Sequence, residues 1–82
     1  MMLSSDLVDE LHMLLLFDPA NTQEGLKVHS TAEPSSVSAA QRLFEKGLIT
    51  QPDGGYLTGL GQDAAEHAQA LITILTSGGT EP

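Results

Sequence analysis

Residues 43–61, Leu-Phe-Glu-Lys-Gly-Leu-Ile-Thr-Gln-Pro-Asp-Gly-Gly-Tyr-Leu-Thr-Gly-Leu-Gly, decide how this chain folds. Gly47 is placed to take the left-handed conformation that ends a helix, with Leu48 folding back onto the core. Leu48-Ile49-Thr50 and Tyr56-Leu57-Thr58 then flank Gln51-Pro52-Asp53-Gly54-Gly55. Pro52 pre-sets the first turn position, Asp53 can accept a local backbone bond, and Gly54 supplies a positive φ for a bulge. The stretch therefore predicts a helix end, a short hairpin, and a further helix with Thr58 as its N-cap.

Upstream, the helix that stops at Gly47 should start at Ser35 or Ser36 and run to Lys46. Val37, Ala40, Leu43 and Phe44 lie on one side of it, and Ser38, Gln41, Arg42 and Glu45 lie elsewhere. Ahead of it, Ser4, Ser5 and Asp6 offer an N-cap for a first helix ending near Phe17. Leu7, Val8, Leu11, Leu14 and Leu15 follow helical spacing, and Asp18-Pro19 forces the stop. Asn21-Thr22-Gln23-Glu24 has the form of a capping box, which predicts a short second helix over residues 22–29. Gly25 weakens that helix by about 1 kcal/mol relative to alanine, and its apolar content is confined to Leu26 and Val28.

Downstream, the last helix is expected from Gly59 or Leu60 to Leu75. Leu60, Ala64, Ala68, Leu71, Ile72 and Leu75 form a long stripe on it, which Ala65 and Ile74 broaden. Residues 1–76 thus read as a single domain, mainly α, with four helices and one short antiparallel β-hairpin. The tail, residues 77–82, has nothing to pack and is expected to be disordered.

Composition narrows the function classes. The chain has 82 residues, so its core is small. It holds no cysteine, which excludes disulfides and thiolate metal sites. The three histidines, His12, His29 and His67, lack the spacing of a metal site, and no nucleophile–base arrangement or phosphate loop is present. No enzyme activity, cofactor or metal is expected. The longest apolar run, residues 13–17, is far short of the ~20 residues a membrane helix needs, so no membrane partner is expected. Without a signal peptide in view, a cytoplasmic location is the expectation.

With the element order established, a resemblance can be stated. Leu43, Lys46-Gly47-Leu48-Ile49, Asp53-Gly54 and Leu57-Thr58-Gly59-Leu60-Gly61 resemble the recognition helix, wing and following helix of MarR-type and PadR-type winged-helix regulators. Across its whole length the chain is similar to a family of short, uncharacterised bacterial proteins labelled as conserved hypothetical or DNA-binding, a label that implies a fold more than an activity. The resemblance implies a winged helix-turn-helix-like fold, with residues 35–46 as the recognition helix and residues 51–55 as the wing tip. It implies DNA binding and transcriptional regulation, with Ser35, Ser36, Ser38, Gln41, Arg42 and Lys46 as the residues that would meet nucleic acid. The wing tip departs from that pattern, because it presents Asp53 where a basic residue would meet a phosphate.

Charge opposes this reading. Eleven acidic residues stand against three basic ones, Lys27, Arg42 and Lys46, for a net charge of −8. Regulators draw much of their affinity from roughly 6–10 phosphate contacts. The alternative is an acidic protein–protein interaction module that keeps the winged-helix fold without nucleic-acid binding. A homodimer or another protein partner is expected on that reading. Leu60, Ala64, Ala68, Leu71, Ile72 and Leu75 are the candidate dimer interface, alone or with the first helix. The carboxylates are spread singly along the chain, which fits a solvated surface better than a DNA mimic.

Overall fold

The first helix, α1 (Ser5–Leu14), begins where the Ser4 hydroxyl accepts a hydrogen bond from the Leu7 amide at 3.1 Å. This is a computed structural model, and it describes residues 2–21 and 23–77. The helix ends three residues before the expected Phe17, at Leu14. The chain then tightens: the Leu16 amide donates to the Met13 carbonyl and the Phe17 amide to the Leu14 carbonyl. This tighter coiling still delivers Phe17 to the core.

The second predicted helix does not form. Residue 22 lies outside the described residues; over 23–29 the chain is extended or turning. The Asn21 side chain accepts from the Gln23 amide at 3.1 Å and closes a local turn, an alternative open to the same residues that suggest a capping box. Leu26–Lys27 forms strand β1 instead. It pairs antiparallel with β3 (Gly54–Leu57), placing Leu26 opposite Gly55 and Lys27 opposite Gly54. The Val28 amide extends the pairing to the Asp53 carbonyl at 2.8 Å.

Gly54, in the turn, explains why β1 can dock there. A Cβ on Gly54 would stand 2.2 Å from the Leu26 carbonyl oxygen, so a strand can lie this close because that side chain is missing. The architecture is therefore three helices and a three-stranded antiparallel sheet of order β1-β3-β2. The expected mainly-α, winged helix-turn-helix-like class, with four helices and a lone hairpin, is overturned by this third strand.

Helix α2 (Pro34–Glu45) starts on Pro34, whose fixed φ and missing N–H suit the first helical position. It closes as expected: Gly47 sits at φ 81°, and the Leu48 amide returns to the Leu43 carbonyl at 2.9 Å. Strand β2 (Ile49–Gln51) pairs with β3, Ile49 opposite Leu57 and Gln51 opposite Gly54, with a bulge between. Gly54 and Gly55 take positive φ in the β3 half of that hairpin.

Thr58 then joins the hairpin to α3 (Gly59–Ser77). Its hydroxyl accepts from the Gly61 amide at 3.0 Å as an N-cap and donates to the Gly47 carbonyl at 2.6 Å. One side chain thus satisfies two helix ends. Thr58→Ala is expected to cost about 2 kcal/mol, the upper end for a lost cap. Urea denaturation should show a lower midpoint with an unchanged slope.

The core comprises Met13, Leu14, Phe17, Ala39, Ala40, Leu43, Ile49 and Ala65, with Leu26, Val28, Leu48, Leu57 and Ala64 packed around it. Helix α3 enters this core through Gly61, Ala65 and Ala68. It then runs on to Ser77, the first residue of the predicted tail; residues 78–82 lie outside the described residues. No described helix is long and apolar enough to cross a membrane.

Candidate functional site

Two surfaces carry the residues singled out by sequence: the outward side of α2 with the hairpin turn, and α3. On α2, the helical repeat does not bring the six candidate residues together. Ser35 and Ser36 border a shallow cleft against α1, beside Asp9, His12 and Leu16. Gln41 turns to the opposite flank, onto a hollow of about 440 Å³ lined by Lys27, Val28, His29, Pro52 and Asp53. The side facing solvent between them presents Ser38, Gln41 and Glu45, all exposed and spaced three and four residues apart. That outward side bears one carboxylate and no cation.

The cations at the end of α2, Arg42 and the C-cap Lys46, are engaged by α1 instead. The Arg42 Nε donates to Glu10 Oε2 at 2.6 Å, and its Nη2 donates to the Asp6 carbonyl at 3.3 Å. Lys46 Nζ donates to Glu10 Oε1. Glu10 is 5% exposed, on the same side of α1 as the core residues Met13 and Phe17. A carboxylate in that position needs partners, because burying an unpaired charge is costly. Burial pushes the Glu10 carboxyl up, but hydrogen bonds from Lys46 and Arg42 outweigh it and hold the group below the ordinary carboxylate range. The same bond to Glu10 raises the Arg42 guanidinium.

The third cation is also engaged. Lys27 Nζ lies 2.9 Å from Asp53 Oδ2, joining β1 to the tip of the hairpin. Its hydrogen bond holds the Asp53 carboxyl below its usual range. Sequence reading missed both the Glu10 cluster and the Lys27–Asp53 pair. A signal for the first was available: Glu10, Met13 and Phe17 share one helical side, so an acid in that row calls for a cation from elsewhere.

Helix α3 separates the six candidate interface residues into two groups. Ala68 belongs to the core, while Ala64 and Ile72 are half-buried. Leu60, Leu71 and Leu75 are exposed by 60%, 51% and 66%, and Ile74 joins them at 60%. Leu60, Ala64, His67, Leu71 and Ile74 recur at alternating steps of four and three residues, the spacing of a helix–helix seam. This second row lies beside the core row of Gly61, Ala65, Ala68 and Ile72 rather than coinciding with it. His67 and Ile74 were absent from the expected interface, although the same step pattern reveals them. From His67 to Ser77 the helix carries no Asp, Glu, Lys or Arg.

Among the described residues no group of three His, Asp or Glu side chains is placed to hold a metal ion. A family model described as a family of unknown function (DUF5669) matches residues 1–76. No curated protein and no solved structure matches the chain.

Proposed function

We propose, from the premise that the chain belongs to this family of unknown function (DUF5669), that it acts by binding protein through the uncovered side of α3 and does not hold nucleic acid. The observation that carries this reading is the pairing of every basic side chain with a carboxylate: Arg42 and Lys46 with Glu10, and Lys27 with Asp53. A phosphate would have to compete with those partners for the same cations, which lowers what counterion release can contribute. It would also approach a chain of net charge −8, whose field repels a polyanion.

The apolar side chains on α3 supply what the cations do not. Leu71, Ile74 and Leu75 stand in water on the outer turns of a helix whose first half is packed through Gly61, Ala65 and Ala68. Contiguous apolar surface of this kind marks interaction sites in monomeric folds. Titration with a non-specific duplex at about 50 mM salt tests the reading, since phosphate-driven affinity is strong there. No binding is expected. Binding that weakens with added salt and is lost in Arg42→Ala and Lys46→Ala would contradict it.

A further inference from the structure

We infer that the occupant of the exposed α3 row is a second copy of this chain, laid antiparallel along it; this rests on the protein-binding reading above. A basic partner would be guided by carboxylates set around its docking site. The outer turns of α3 offer none: residues 67–77, His-Ala-Gln-Ala-Leu-Ile-Thr-Ile-Leu-Thr-Ser, contain no charged side chain apart from His67 in its cationic form. In a chain where eleven of 82 residues are acidic, this is where another chain of net charge −8 can approach without apposing like charges.

The other apolar surface does not meet that condition. Leu3, Leu7, Leu11, Leu14 and Leu48 line a groove along α1 that also contains Glu10 and Lys46, and Asp6 lies on the same helix. A second chain docked there would have to desolvate the Glu10–Lys46 pair, a cost that the neutral outer turns of α3 do not carry.

Direction follows from the uneven charge of α3. Asp63 and Glu66 lie in its first half, near the domain body, and the second half is neutral. A parallel pair would set Asp63 and Glu66 against their own counterparts and bring both acidic bodies to one end. An antiparallel pair sets each acidic half against a neutral half and separates the bodies. In that arrangement seam residues alternate between copies: His67 meets Leu71 of the second copy, and Ala64 leaves room for its larger Ile74. The contact is isologous, so it closes at two chains.

Sedimentation equilibrium of the full chain, with Leu71→Glu, His67→Leu and Leu3→Glu beside it, tests this. The expected result is a micromolar dimer that Leu71→Glu weakens by about thirtyfold or more, the loss typical of a central interface residue. His67→Leu should tighten it by removing a polar residue from the seam. Leu3→Glu, in the α1 groove, should leave it unchanged. Leu71 is exposed, so an unchanged circular dichroism spectrum should confirm that Leu71→Glu folds. A monomer at every concentration overturns the inference, and so does a dimer indifferent to Leu71→Glu. A monomer that also ignores duplex DNA removes the self-association alone, whereas salt-sensitive duplex binding removes the protein-binding reading beneath it.

Discussion

Gly61→Ala is expected to abolish stable folding, although alanine is the better helix former by about 1 kcal/mol. The first turn of α3 runs against the backbone that follows α2. A Cβ on Gly61 would stand 1.8 Å from the Leu48 carbonyl oxygen and 2.8 Å from its carbonyl carbon. The obstacle is backbone, held by the return of the Leu48 amide to Leu43 and of the Thr58 amide to the Leu48 carbonyl itself. It cannot turn aside as a side chain would. The helix must retreat, which also pulls Ala65 and Ala68 from the core and breaks the Thr58 cap. A cost above about 4 kcal/mol follows, a value reserved for severe core disruption. Total stability for a domain this size is roughly 4–12 kcal/mol. Gly59→Ala is the control: a Cβ there meets nothing within 4 Å, so it should be neutral or mildly stabilising. Thermal melts of the two variants should move in opposite directions or differ by the presence of any transition at all.

Glu10→Gln should lower stability by about 2 kcal/mol at neutral pH, drawing on the strength of hydrogen bonds to charged groups. The full value for a buried ion pair does not apply, because the Arg42 and Lys46 side chains retain 26% and 48% exposure. For a domain of this length that is roughly a 10 °C lower melting temperature. The effect should depend on pH in a definite direction. The folded protein holds the Glu10 carboxyl below its ordinary value of 4.5. Its contribution is then fully present above pH 4.5 and disappears as pH falls through the lower, folded value. Wild type and Glu10→Gln should therefore differ most near neutrality and converge in acid. A constant gap between the two curves from pH 7 to strong acid would show that the carboxylate charge is not what binds α1 to α2.

Both variants probe features of different legibility. What lies close in sequence could be read: Gly47 as a helix stop, Pro52 to Gly54 as a turn, Thr58 as a cap, each set by one or two residues and their immediate neighbours. What depends on distant partners could not. Asn21 and Glu24 suggest a helix start, but the same Asn21 oxygen closes a turn equally well, and the decision rests with Gly54 some thirty residues later, whose bare backbone admits Leu26. Arg42 and Lys46 read from sequence as residues free to meet phosphate because their partner, Glu10, is 32 and 36 residues away. On α3 the apolar content was plain, but two rows overlap in one stretch. Folding assigns Ala65 and Ala68 inward and Leu60, Leu71 and Ile74 outward.

The resemblance to winged-helix regulators rests on the local features alone. It covers the helix stop, the hairpin and the following helix, which form as expected. It does not extend to the segment before α2, where β1 replaces a helix, or to the chemistry of the wing, where Asp53 holds Lys27. The proposed protein-binding role follows the charge, because phosphate contacts would dominate any nucleic-acid affinity.

The most direct measurement is an amide-resolved NMR series in which the chain is concentrated from the low to the high micromolar range. Shifts confined to the exposed row of α3, at Leu60, Ala64, His67, Leu71 and Ile74, are the predicted result. Spectra that do not change with concentration, or changes centred on α2 and the hairpin, would contradict it.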